Sequence, residues 1–236
     1  MTAPAQPEWI VLPDPMAVAQ AAAERIVQAA QHAIAARGRF WLALAGGGTP
    51  KAAYAALAEL RPDVSGWIVC LGDERLVPAD HGDSNFRMAM AAGLSQLGLG
   101  DAQVVRVPTE LGEPTAVANA YAAALERLGP QTLDLALLGM GQDGHTASLF
   151  PGSTADGESE RLVAATWVAS QSAWRITLTR PALEAAREVL FLVVGSDKAA
   201  RVAGIRDGTD VRSPAARIRP RDGRVTWLID AEAAEG

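Results

Sequence analysis

Phe40-Trp41-Leu42-Ala43-Leu44-Ala45-Gly46-Gly47-Gly48-Thr49-Pro50 reads as a strand, a turn and a helix start in succession. Residues 40–45 are an unbroken apolar run, which suits a strand buried on both faces. Three glycines stop it. Thr49 and Pro50 then read as N-cap and first-turn residues of a helix that runs to about Leu60, with Pro62 beyond it. Upstream, Val18, Ala22, Ile26, Ala30 and Ile34 recur every four residues, which places one face of a helix over residues 17–36. Gly38 ends that pattern.

The same alternation continues downstream. Residues 67–71 read as a strand, 72–83 as a loop and 84–97 as a helix. A brief strand at 104–107 precedes a helix at 114–128. Residues 133–138 form the clearest strand, followed by a glycine-rich loop at 139–144. Residues 163–168 and 175–178 suit an antiparallel pair. Thr179 and Pro181 start a helix, 189–194 is a strand, 198–205 a helix, 213–218 a short helix and 225–229 a last strand. The polar stretch 152–160 reads as a mobile loop. Strands alternating with helices predict a mostly parallel α/β sheet covered on both faces, within one domain spanning 1–236. Ligands of such sheets sit beyond the carboxyl ends of the strands.

Bulk composition narrows the function classes. The chain has 236 residues, 49% of them hydrophobic and 20% charged, as in soluble globular proteins. Cys70 is the one cysteine, so an internal disulfide and a cysteine-rich metal site are excluded. No apolar stretch reaches bilayer-spanning length, and residues 1–15 lack a basic-then-apolar signal pattern. The expectation is a cytoplasmic protein without membrane contact. A net charge of −6 argues against a nucleic-acid partner. An anionic ligand then needs a local cluster of cations.

Four strand-end loops hold candidate chemistry. At Gly46-Gly47-Gly48-Thr49-Pro50, open backbone N–H groups and a helix dipole make an anion site, or the segment is an ordinary tight turn. Its spacing fits neither G-x-G-x-x-G nor a P-loop. At Gly72-Asp73-Glu74-Arg75, Arg75 can bind phosphate or an oxyanion if it faces a cleft, with Asp73 or Glu74 orienting it; otherwise the three charges stay solvated. Leu138-Gly139-Met140-Gly141-Gln142-Asp143-Gly144-His145-Thr146-Ala147-Ser148-Leu149-Phe150-Pro151 puts one of three histidines in a glycine loop. An ordinary imidazole titrates near pH 6.5 and suits general-base work, with Asp143 placed to fix its tautomer. Gly195-Ser196-Asp197-Lys198-Ala199 sets Lys198 in a first helical turn, where a cation opposes the dipole unless an anion binds there. Arg175 is a second cation or an exposed strand residue. His32 reads as a helix-surface residue and His81 as a loop residue.

Together these segments resemble the 6-phosphogluconolactonase family, which is related to the glucosamine-6-phosphate deaminases. The matching pieces are residues 45–50, 72–77 with Ser84-Asn85, 138–151, 175–177, 195–199 and 227–231. The resemblance implies a three-layer α/β/α, Rossmann-like open sheet of the NagB/RpiA/CoA-transferase-like type with a small antiparallel extension. It implies hydrolysis of 6-phosphoglucono-δ-lactone, a small phosphorylated sugar lactone, with no nicotinamide or other cofactor and no obligatory metal; a monomer or weak homo-oligomer is expected. By position, His145 matches the catalytic base, supported by Asp143. Gly47, Gly48, Thr49, Arg175 and Lys198 match phosphate-binding positions. Asp73 is counted with these substrate-binding residues, and Arg75 matches a cleft arginine that can steady an oxyanion.

Two other readings stand beside this one. The deaminase relatives carry a Glu five residues beyond the histidine, where this chain has Phe150. A non-catalytic sugar-phosphate sensor would need the glycine turn but not His145 with Asp143.

Overall fold

The computed structural model describes residues 6–128 and 132–235, so residues 1–5 of the N-terminal stretch lie outside the described residues. Its strands are β1 (Glu8–Leu12), β2 (Phe40–Leu44), β3 (Trp67–Leu71), β4 (Asp73–Arg75), β5 (Val104–Val105), β6 (Leu135–Leu138), β7 (Val163–Val168), β8 (Ala173–Leu178), β9 (Glu188–Val193) and β10 (Arg224–Asp230). Its helices are α1 (Pro15–Arg37), α2 (Gly48–Leu60), α3 (Asn85–Ala91), α4 (Pro114–Leu128), α5 (Arg180–Glu184), α6 (Ala199–Arg206), α7 (Pro214–Arg217) and α8 (Ala231–Ala234).

Seven strands form one sheet in the order β1-β10-β9-β6-β2-β3-β5, with every pair parallel. Every residue of β2, β6 and β9 is buried. Such continuous burial requires cover on both faces, and it is why these strands are apolar throughout rather than alternating. The chain steps outward from β2 through β3 to β5, then returns to the other side of β2 with β6 and steps outward through β9 and β10. The direction reverses between β2 and β6, and crevices at strand carboxyl ends open at such a point. A second sheet, β4-β8-β7, is antiparallel.

Two short strands and the terminal helix α8 escape the sequence reading. β1 pairs in parallel with β10, Trp9 opposite Trp227, and the Trp9, Trp227 and Phe191 rings stack across three strands at centroid distances of 4.7 and 3.8 Å. β4 lies inside the expected 72–83 loop; its three residues are all charged, and its pairing partners come from β8. The expected 84–97 helix breaks after Ala91, where Gly93 takes φ 145°, before a short 3-10 turn. α6 likewise begins at Ala199, after a 3-10 turn over Ser196–Lys198. Within the 152–160 stretch Ala155 is fully buried and Asp156 pairs with Arg217.

Both tyrosines of the chain serve the carboxyl ends of the central strands. Tyr54 of α2 donates its hydroxyl to the Ala45 carbonyl (2.8 Å) and accepts the Ala45 N–H (2.9 Å). Tyr121 of α4 does the same for Leu71, at 2.7 and 2.8 Å. Burial pushes both phenol pKa values up, so both stay protonated.

Candidate active site

Loops leaving β2, β3, β6 and β9, four neighbours in the sheet, surround one cleft of about 510 Å³. Gly47, Gly48, Thr49, Asp73, Arg75, His145, Arg175 and Lys198 all line it. Asp143 does not line it but touches His145. Residues from five separate segments, the four loops and β8, therefore meet in one place.

The glycine turn is an open helix N-terminus. α2 begins at Gly48, with Gly47 as its cap at φ 107° and ψ 173°, a conformation reserved for glycine. Thr49 is therefore not the N-cap expected from the sequence: the glycines let the helix start earlier, and no side chain caps it. The first helical N–H groups stay available to an anion, reinforced by the helix dipole. Gly46 is required for another reason: a Cβ there would lie 2.2 Å from Asn85 Oδ1.

Asp73 and Glu74 are buried, 6% and 3% exposed, which removes the alternative of a solvated turn. Glu74 accepts from the Arg75, Asn85 and Phe86 N–H groups and from Ser84 Oγ at 2.7–3.0 Å, which fixes β4 to the start of α3. Burial nevertheless raises its carboxyl above the usual range. Asp73 accepts from Ser148 Oγ (2.7 Å) and Asn85 Nδ2 (3.2 Å) and faces Arg175 Nη1 at 3.8 Å. Neither carboxylate orients the Arg75 guanidinium; Asp73 serves Arg175, and Arg75 Nη1 donates to the Asp83 carbonyl (2.6 Å).

Arg175 is 6% exposed, not a surface strand residue. It sits opposite Arg75 in the β4–β8 register. Burial pulls its guanidinium below the ordinary value; Asp73 opposes that shift and Arg75 adds to it. Gln171, in the turn between β7 and β8, also lines the cleft and accepts from Arg175 Nη2. Nothing in its sequence neighbourhood marks it.

His145 is clamped on three sides. Its Nδ1 lies 2.6 Å from Asp143 Oδ1, and its backbone N–H donates to the same oxygen at 3.0 Å. Phe150 stacks on the ring at 4.1 Å and 24°. A Cβ on Gly141 would lie 2.2 Å from the ring, so only glycine admits it. Desolvation pushes the Asp143 carboxyl up, but the His145 backbone and ring more than offset that, and it ends below its ordinary value. An ionised carboxylate only accepts, so the shared proton sits on Nδ1, and Nε2 is the ring nitrogen outside that contact.

Lys198 completes the cleft from the loop after β9. Gly195, at φ 96°, donates its N–H to the buried carboxylate of Asp230 (3.0 Å), which also caps α8. His32 and His81 are exposed, the former on α1 and the latter in a loop. Among the described residues, no cluster of His, Cys, Asp or Glu is placed to hold a metal ion, and no helix is long and apolar enough to cross a membrane.

Comparison with known proteins identifies the family. Residues 13–227 match the family model described as glucosamine-6-phosphate isomerases/6-phosphogluconolactonase. A 6-phosphogluconolactonase of Synechocystis sp. is 39% identical over 86% of this chain and 87% of its own, and that of Homo sapiens 35% identical over 99% and 95%. The crystal structure of 6-phosphogluconolactonase from Leishmania guyanensis superposes with a TM-score of 0.90 at 30% identity, covering 98% of this chain and 99% of that one. A monomeric glucosamine-6-phosphate deaminase shares the fold, with a TM-score of 0.84 at 20% identity over 96% and 98%. On sequence and on shape alike, the chain belongs to the family of glucosamine-6-phosphate isomerases and 6-phosphogluconolactonases.

Proposed function

We propose that the chain hydrolyses 6-phospho-D-glucono-1,5-lactone to 6-phospho-D-gluconate, the lactonase step of the oxidative pentose phosphate pathway. The observation that carries this reading is the shared cleft: a carboxylate-backed imidazole faces the same space as a helix N-terminus and three cations. The relatives named 6-phosphogluconolactonase support it.

The phosphate is held by the Gly47-Gly48-Thr49 N-terminus, Lys198 and Arg175. His145 Nε2 takes a proton from water as the water attacks the lactone carbonyl. Arg75 or backbone N–H groups of the glycine loop steady the oxyanion. Protonated His145 then gives its proton to the ring oxygen as the C–O bond breaks. Asp143 keeps the imidazole in one tautomer throughout. Phe150 speaks against deaminase chemistry, because an apolar ring stacked on His145 occupies the position of those relatives' Glu.

The test is acid release from freshly made lactone, measured above spontaneous hydrolysis. His145→Ala is expected to lower kcat by about 10² to 10⁴, the usual worth of a positioned base, while phosphate binding persists. Near-normal turnover by that variant removes His145 from the mechanism. Binding without turnover by the wild type favours the sensor reading.

A further inference from the structure

Lys198 does not wait empty-handed for a phosphate. Its Nζ is in contact with Asp197 Oδ2, and the same oxygen accepts from Gln142 Nε2 at 2.7 Å. Gln142 belongs to the loop after β6 that carries His145, and its carbonyl faces Arg201 Nε of α6 at 3.4 Å. One carboxylate thus bridges the two loops that bear the proposed base and the proposed phosphate cation. Lys198 lines the cleft with a side chain 19% exposed, whereas Asp197 stands at 46% on the solvent side. The Lys198 ammonium and the Gln142 amide hold the Asp197 carboxyl below its ordinary range, so the competing charge is present at neutral pH.

We propose that Asp197 is a built-in rival of the substrate phosphate for Lys198, setting how tightly phosphorylated ligands are held. The proposal rests on the reading of Lys198 as a phosphate-binding residue. A phosphoryl group reaching Lys198 must displace Asp197 or share the ammonium with it, and a carboxylate beside a bound dianion repels it in either case. When product leaves, Asp197 takes the ammonium back. Gln142 keeps the carboxylate within reach while Lys198 is engaged elsewhere, so the exchange needs no loop movement. The fully hydrated alternative, a lysine with no internal partner, would bind both phosphorylated substrate and phosphorylated product more tightly and release product more slowly.

Asp197→Asn tests this, because the amide keeps the shape and a hydrogen bond to Gln142 while losing the charge. Exposed ion pairs are weak, so the expected effect is a modest gain of about two- to fivefold in affinity. Inorganic phosphate, titrated calorimetrically, is expected to bind the variant more tightly than the wild type by that factor. KM for the lactone and the inhibition constant of 6-phosphogluconate are expected to fall in parallel, with kcat not raised. Glu126→Gln, on the exposed face of α4, removes the same overall charge elsewhere and is expected to leave all three constants where they were. Equal or weaker phosphate binding by Asp197→Asn overturns the proposal, since a carboxylate that merely orients Lys198 would weaken binding when removed. An equal gain in Glu126→Gln overturns it too, by assigning the effect to net charge. The phosphate titration stands without turnover, so an absence of lactonase activity in the wild type would count against the function and leave this result to be read separately.

Discussion

Tyr54→Phe isolates one hydroxyl that serves two backbone groups. In the wild type that oxygen donates to the Ala45 carbonyl and accepts the Ala45 N–H, at 2.8 and 2.9 Å, in a fully buried setting. Phenylalanine keeps the ring volume, so no cavity forms and the loss is confined to hydrogen bonding. Each buried polar group left without a partner costs about 1–3 kcal/mol. Two such groups, partly relieved by local relaxation, cost about 2–4 kcal/mol. For a chain of this size each kcal/mol moves Tm by about 2–4 °C, so a fall of roughly 4–16 °C is expected. Ala45 leads directly into the glycine turn, so loosening it is expected to raise KM several-fold and change kcat little. Urea unfolding followed by circular dichroism gives the first number and lactone kinetics the second. A loss below about 0.5 kcal/mol would refute the reasoning, because it would mean that the hydroxyl was not needed to satisfy Ala45. Tyr121→Phe, with the same pair of bonds at Leu71, is the internal replicate.

Gly141→Ala places a methyl 2.2 Å from the His145 ring, so kcat is expected to fall at least about tenfold, a fraction of what a positioned base supplies, with circular dichroism unchanged; normal kcat would show that the clamp is not needed. Asp210 is the acid-stability case. Desolvation raises its carboxyl, but the Ser213 N–H and hydroxyl, Arg201 and the Arg212 N–H outweigh that and bring it down to about 2. Its stabilisation is present above the unfolded value near 3.9 and is lost as pH falls through the folded one, so the urea midpoint of Asp210→Asn should drop less steeply than that of the wild type between about pH 4 and 2. Parallel slopes would contradict the assignment. Arg75→Met removes one of two arginines placed opposite each other across β4 and β8, and like charges directly opposite are destabilising. Turnover is expected to fall while Tm holds or rises; a clear loss of Tm would show that Arg75 serves the fold.

Legibility followed burial and local pattern. β2, β3 and β6 could be read because strands covered on both faces are apolar at every position, and their glycine exits marked the loops that meet in the cleft. β4 could not be read, since Asp73-Glu74-Arg75 has no apolar residue and becomes a strand only because β8, about a hundred residues on, supplies its partners. Glu74 was hidden for the same reason: its four donors come from its neighbour Arg75 and from α3, and no spacing rule announces a buried carboxylate at a helix start. Thr49 followed by Pro50 reads as a cap and first-turn pair because a proline suits the first helical position, whereas here a positive φ that only glycine tolerates sets the boundary at Gly47. His145 and Asp143 were legible as a pair because two residues of separation in a glycine turn bring a carboxylate to a neighbouring imidazole. Gln171 was not, because its place at the cleft depends on where a hairpin tip lands.

On the proposed reading, the distribution of charge explains how an acidic chain holds an anionic substrate. At −6 the overall field is weakly repulsive, so attraction has to come from groups too close to the ligand for distant carboxylates to cancel. Arg175 is brought in by β8, Arg75 by β4 and Lys198 by the loop after β9, while the glycine turn adds peptide dipoles with no side chain at all. Asp73 faces Arg175 and Asp197 holds Lys198, whereas Arg75 donates to a backbone carbonyl. The Nε atoms of Arg75 and Arg175 are buried without an acceptor, and Arg175 is held below its ordinary pKa by burial and by Arg75. An arrangement of that kind costs the empty protein stability. Under the proposed function, a bound dianion turns the mutual repulsion of Arg75 and Arg175 into shared attraction, while the cost of burying Arg175 remains and Asp197 still competes for Lys198.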